Sequence, residues 1–465
     1  MKFIKSFFIL ISLTFSFLAN GQAVEGNLLG TWSIPGLTGS SAFDNAYNEV
    51  WGFEMNGHEY AVIGTTYGTH FIDVTDPTEP EEVYAVEGRT AGPSIIHRDF
   101  HDYQGYLYSI ADEGANTTLQ IIDITQLPDT IEVVYDSNEF FSRSHNIFID
   151  SSRARLYSCI SNGTSFGYQP MRIFDISNPI DPQPILEVSK IGEMSISQVH
   201  DAFVQNDTAY LNLGPSGFAI VDYSNIDTPN IINVLESTEY PQAGYNHSGW
   251  LTEDGDYYYM ADENYNADIK VLDLRDLPDI TVVNTFNAEA EGLSITHNQI
   301  VKGDKLYVSY YVDGLQVYDI TDPANPVREM YYDTSEELPA PGTYKGAWGV
   351  YPFLPSGNIL VSDMQNGLFV IDGEIPTSTL EQNISKNQVK VFPNPSYGQF
   401  QIELPESLTG EIEVQIITLQ GSLLFKNTFN DSTLSIDLSD LNAGIYFAKI
   451  KAGEFNISER ILIHK

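Results

Sequence analysis

A short phrase recurs along this chain at a spacing of about fifty residues, and no other feature limits the fold so tightly. An aspartate follows a strand-like apolar run in "HFIDVTDP", "QIIDITQLPD", "RIFDISNP", "AIVDYSNIDTP", "KVLDLRDLPD", "QVYDITDP" and "FVIDGE". The seven aspartates are Asp73, Asp123, Asp175, Asp222, Asp273, Asp319 and Asp372. Each unit has the same internal order. In Thr296 to Tyr331, "THNQIVKG", "KLYVSYY", "GLQVYDI" and "VREMYY" read as four strands, with "TDPANP" as the turn before the last. No segment has helical periodicity. Strands apolar on both sides, repeated with this period, predict an all-β, seven-bladed β-propeller of four-stranded blades. The repeat aspartates read as turn residues, each placed to accept a hydrogen bond from the backbone that follows.

Ring closure is the physical difficulty. The seventh unit ends at "FVIDGE" without a fourth strand, whereas "NLLGTWSI", Asn27 to Ile34, is a spare strand ahead of the first unit. It is expected to supply the missing outer strand of the last blade.

The ends have other tasks. Met1 to Gly21 carries Lys2 and Lys5, a twelve-residue apolar stretch and small residues, which predicts a signal peptide, 1–21. The propeller is expected over 22–374 and a polar linker over 375–388. A second β unit at 389–465, read as a small Ig-like β-sandwich, follows. No stretch of apolar residues is long enough for a transmembrane helix. The formal charge of -41 argues against nucleic acid and anionic lipid as partners. Cys159 is the only cysteine, so no intrachain disulfide forms.

The "LQVYDITDP" and "HFIDVTDP" phrases resemble the LVIVD repeats of bacterial surface proteins. With "SHNIFID" and "NHSGWLTEDGDYYYMADE", the region Leu28 to Gly373 is similar to the choice-of-anchor B family. That resemblance implies a secreted propeller and no particular reaction. The "FPNPSYGQF" opening and "LNAGIYFAKI" resemble the C-terminal sorting domain of the Bacteroidetes type IX secretion system. This implies that the secretion machinery is a partner and that the tail is removed at export, leaving the protein at the cell surface or outside the cell.

No nucleophile elbow, P-loop, HExxH or EF-hand loop is present, so no catalytic residue is assigned. One constellation remains. The start of each unit's first strand carries Trp51, His97, His145, His200, His247, His297 and Trp348. Fifteen residues after three of these stand Asp112, Asp262 and Asp363, with Glu113 and Glu263 beside the first two. In a meander, the start of strand one and the end of strand two share an edge. The histidines are therefore expected around one channel mouth, with the acids near the same face. His97, His145, His200, His247, His297, Asp112, Glu113, Asp262, Glu263 and Asp363 are the candidate ligand-binding residues. His145, His200 and His247 are the candidates to hold a divalent metal ion, the one cofactor considered. A repeated histidine can equally serve the fold by bonding a backbone carbonyl in every blade. Three functions stay open on sequence alone. They are a binding module for a protein or glycan, a metal-dependent enzyme with its site on the axis, and a structural surface protein.

Overall fold

The computed structural model describes residues 23–114, 116–288, 295–335, 344–375, 390–394, 396–404, 412–418, 423–429, 433–439, 441, 444–452 and 455–464. The signal peptide and nearly all of the linker expected from the sequence lie outside these. Regular structure among the described residues is β throughout. The chain divides into two compact units, Met1–Pro376 and Thr377–Lys465.

The first unit is a β-propeller. Seven sheets of four antiparallel strands in meander order follow one another along the chain, over 47–87, 98–137, 146–188, 201–236, 246–286, 299–332 and 347–371; we call them blades 1 to 7. Blade 7 takes its fourth strand from elsewhere, as described below. The first strand of each blade is the innermost. Tyr47–Met55 adjoins Arg98–Tyr103, and the series continues through Asn146–Asp150, Asp201–Gln205, Asn246–Leu251 and Gln299–Lys302 to Ala347–Tyr351, which adjoins Tyr47–Met55 again. These seven strands enclose the axis. The cores lie between blades. One unites Tyr157, Met171 and Ile173 of blade 3 with Ala202, Leu211 and Val221 of blade 4. Both faces of a blade are thus covered by its neighbours, which is why its strands do not alternate between apolar and polar residues.

Closure follows the expected route. Leu28–Trp32 runs antiparallel to Gly367–Ile371 as the outer strand of blade 7, pairing Thr31 with Phe369 and Trp32 with Leu368. Val24–Glu25, which the sequence had not marked as a strand, adds a parallel fifth strand to blade 6, opposite Met330 and Tyr331. One N-terminal segment therefore ties blades 6 and 7.

All seven repeat aspartates do what their position suggested. Each accepts the backbone N–H two residues on, at 2.7–3.1 Å. Burial pushes the Asp319 carboxyl up, but the Thr321 hydroxyl and amide and the Lys305 ammonium outweigh it and hold it at about 2.

The second unit has one three-stranded sheet, Lys390–Phe392, Gln399–Glu403 and Thr433–Asp437. Its four-stranded sheet comprises Leu423–Phe429, Ile412–Thr418, Gly444–Ala452 and Phe455–Ile463. Phe400, Ile402, Leu434 and Ile436 pack against Ile412, Val414, Ile416, Ala448 and Ile450, giving this unit a core of its own.

Candidate functional site

The five histidines converge. His97, His145 and His200 immediately precede the inner strands of blades 2, 3 and 4, His247 lies in that of blade 5, and His297 stands just before that of blade 6. Neighbouring ring centroids are 4.8 Å apart for His97 and His145, 4.3 Å for His145 and His200, 4.1 Å for His200 and His247, and 4.6 Å for His247 and His297. Trp348 of blade 7 closes the circle, 4.3 Å from His297 and 5.2 Å from His97. The six rings form the floor of a cavity of about 270 Å³, whose walls are Phe43, Glu263, Tyr311 and Tyr344.

Blade 1 departs from the expected pattern. Tyr47 pairs with Thr65 as Asn246 pairs with Asp262 and Ala347 with Asp363, so its equivalent of His247 and Trp348 is Asn48, not Trp51. The first hairpin of blade 1 is longer, Thr65 standing eighteen residues after Tyr47 where Asp262 and Asp363 stand sixteen after Asn246 and Ala347, and this hides the register in the sequence. Trp51 lies deeper, in contact with His101 and Tyr351 at 4.4 and 5.0 Å, and its Nε1 donates to Asp102 at 2.8 Å.

Four imidazoles are held through Nδ1. His145 engages Asp112 at 2.9 Å, His97 engages Glu113, and His200 and His297 donate to the carbonyls of His247 and Trp348 at 3.0 and 2.6 Å. The fold-serving and site-forming readings therefore meet in one residue: a backbone bond on Nδ1 leaves Nε2 on the cavity side. His247 differs. Its Nδ1 makes no hydrogen bond, and its Nε2 stands 3.9 Å from Glu263 Oε2. Glu263 Oε1 in turn accepts the Tyr311 hydroxyl at 2.6 Å.

Electrostatics divide the ring. Burial and the neighbouring imidazoles push His200 and His247 well below the ordinary histidine value, and burial takes His297 down to about 3. These three are neutral, as metal or hydrogen-bond acceptor roles require. Burial lowers His145 too, but Asp112 outweighs it and raises the imidazole above its ordinary value. Burial lifts Glu263 to about 7.

The acids separate physically. Asp112 and Glu113 stand behind His145 and His97. Glu263, just beyond the end of its strand, lines the cavity, whereas Asp262, the last residue of that strand, points the other way. Asp262 is fully buried and accepts from Lys270 Nζ at 2.7 Å, Gly244 N at 2.9 Å and Tyr240 Oη at 3.1 Å. Asp363 accepts from Thr334 Oγ1, Gln365 N and Asn366 N, and shapes a turn. Neither Asp262 nor Asp363 lines the cavity; each ends the second strand of its blade and is committed to the hydrogen bonds just given.

Below the ring lies a layer that the histidine pattern did not reveal. Glu49, Asp99, Asn146, Asp201 and Asn298 bound a narrow space of about 20 Å³ under the imidazoles. Each follows a ring position by one or two residues, which is the only sequence signal they carry. Gly349 admits Glu49, since a Cβ there would stand 1.8 Å from Glu49 Oε1. Deeper still, His101, Phe148, Phe203 and Trp250 continue the belt begun by Trp51, at 5.4, 5.4 and 4.8 Å between successive rings.

Burial lifts Asp99 to about 7 and Asp201 to about 6. A carboxyl raised in the folded state contributes stability that is complete below its unfolded value and lost as pH rises through its folded one. Asp319 has the opposite sign and contributes stability lost as pH falls from 3.8 through about 2. The buried, neutral His200, His247 and His297 have the same sign as Asp319 and contribute stability that is lost as pH falls below about 6.5. Between about pH 4 and 7 an Asp99→Asn, Asp201→Asn variant should therefore lose less stability with rising pH than the wild type, read by thermal melts. An unchanged slope in that variant would contradict the assignment.

Comparison with known proteins decides the role of the tail. Residues 390–464 match the secretion system C-terminal sorting domain. The chain is thereby marked for export to the cell surface or the extracellular space. No helix among the described residues is long and apolar enough to cross a membrane. No curated protein matches the sequence. Among solved structures, a Bacteroides fragilis protein provisionally assigned as a 6-phosphogluconolactonase is similar, with 11% identity and a TM-score of 0.45 over 84% of this chain and 96% of that one. The β-propeller domain of Cps50 (Swd1) from Myceliophteria thermophila has 11% identity and a TM-score of 0.49, over 74% and 98%.

Proposed function

We propose that the protein is an exported binding propeller that takes its ligand into the mouth cavity over the histidine ring. One observation carries this reading: five imidazoles from five consecutive blades share a single cavity. His145, His200 and His297 also tie neighbouring blades through Nδ1, and the binding reading rests on the ring faces that remain on the cavity. The propeller is read as seven-bladed, and its repeats as LVIVD type within a choice-of-anchor B protein; that resemblance assigns no reaction. A metal-dependent activity is the second reading. It is favoured by the bonds on Nδ1 of His97, His145, His200 and His297, because metal-bound imidazoles are oriented in this way.

Mass spectrometry of the exported protein tests the reading and its route together. Peptides from 1–21 and 389–465 should be missing, since the sequence reads them as signals removed during export. Under native conditions the wild type should carry an extra noncovalent mass that a His145→Ala, His200→Ala, His247→Ala variant lacks. No mass on the wild type beyond its own polypeptide, or the same extra mass on the variant, would overturn the binding reading. Intact C-terminal peptides in the exported form would overturn the processing.

A further inference from the structure

We propose that one ion of the zinc class binds off the propeller axis, on His247, His297 and Glu263; this rests on the ring being the binding site.

The width of the ring excludes a central ion. Six rings spaced 4.1–5.2 Å apart leave the centre roughly 4–5 Å from each centroid, and an inward-pointing nitrogen still about 3–4 Å away. Zinc needs nitrogens at ~2.0–2.1 Å. An ion must therefore move to one side, where it meets two imidazoles and needs a third ligand.

Two arcs offer one. His97, Asp112 and His145 form one group, and His247, Glu263 and His297 another; in each, the ligand atoms lie within 4.8 Å of one another. In the first arc the carboxylates are already committed to Nδ1 of the imidazoles, and neither Asp112 nor Glu113 lines the mouth cavity. In the second arc Glu263 lines the cavity together with both imidazoles. Its Oε2 stands 3.9 Å from His247 Nε2, too far for a hydrogen bond; two ligands of a tetrahedral zinc stand about 3.3 Å apart, so an ion would draw the pair together by about half an ångström. Two of these three ligands are fixed from behind. The Tyr311 hydroxyl holds Glu263 Oε1, and the Trp348 carbonyl holds His297 Nδ1. The buried His247 has no close hydrogen bond on Nδ1, which faces the His297 carbonyl, so Nε2 is the nitrogen it offers beside Glu263. Two imidazoles and one carboxylate form a donor set suited to zinc and similar first-row ions, and they leave coordination positions open to the cavity. His200 and His145 are then left to contact whatever enters beside the ion. Tyr311 is a positioning residue, acting through Glu263.

The test is zinc titration of the chelator-treated exported protein, followed by cobalt substitution and its visible spectrum. The wild type should take up one equivalent. Glu263→Gln, which preserves the Tyr311 bond, and His297→Ala should each weaken zinc by about 100-fold or more, and Tyr311→Phe by about 10-fold with an altered cobalt spectrum. Either ligand variant suffices if the other does not fold. Unchanged affinity in Glu263→Gln, with loss in Asp112→Asn, would place the ion on the opposite arc and overturn this assignment. No metal uptake by the wild type would overturn it as well; an organic mass on the native protein would then leave the binding reading standing.

Discussion

A propeller truncated to begin at Ser40 should melt about 10 °C or more below one beginning at Gln22. The missing segment includes Leu28–Trp32, the outer strand of blade 7, and Val24–Glu25, which pairs with blade 6. Leu29 and Trp32 pack on a core that contains Leu368 and Val370 of blade 7 and Tyr47 and Ile63 of blade 1. Trp32 also lies 6.3 Å from Tyr47 and 5.4 Å from His70, ring to ring. Two apolar side chains at about 1.5–3 kcal/mol each and several ladder hydrogen bonds at about 1 kcal/mol each total on the order of 5 kcal/mol. At roughly 2–4 °C per kcal/mol for a domain of this size, the shift is easily read by calorimetry. The bare edge of Gly367–Ile371 should also promote association at high concentration. A truncated propeller melting like the longer one would refute the closure.

The second large effect is expected at Lys270→Met. Lys270 and Asp262 form an ion pair with neither side chain exposed, and Lys270 Nζ also donates to the Gln242 carbonyl at 3.3 Å. Removing the ammonium leaves a buried carboxylate whose remaining partners are Tyr240 and the Gly244 amide. Breaking such a pair costs about 3–5 kcal/mol. Replacing both partners, as Lys270→Met with Asp262→Leu, should recover most of that loss. Chemical denaturation of the two variants measures it; equal destabilisation by both would contradict the account. The position matters for function because the pair anchors 242–244, the approach to His247. Lys270→Met should therefore weaken ligand binding as well as the fold.

The ring of blades was legible because each blade needs the same tight turn before its last strand. The aspartate that caps this turn leaves a period of about fifty residues. The clasp was legible because blade 7 visibly lacked a strand. The five histidines were legible because each occupies the same position in its blade. Trp51 was misplaced because the first hairpin of blade 1 is two residues longer than those of blades 5 and 7, a change too small for the period to reveal. Asp262 and Glu263 look equivalent in "ADEN", yet Asp262 ends its strand against Lys270 while Glu263, in the loop beyond, faces the cavity. Glu49, Asp99 and Asp201 belong to no repeated motif, and only the closing of the ring brings them together. Phe43, Tyr311 and Tyr344 reach the mouth from different loops, and sequence periodicity contains nothing about loop paths.

The central claim is that the ring exists to hold something. A crystal structure of the protein recovered after export tests it most directly, with anomalous data collected across the zinc edge. Density larger than a water is expected in the mouth cavity, in contact with imidazole nitrogens, with an anomalous peak beside His247, His297 and Glu263. A cavity holding only scattered waters, with every imidazole bonded solely to protein, would contradict it.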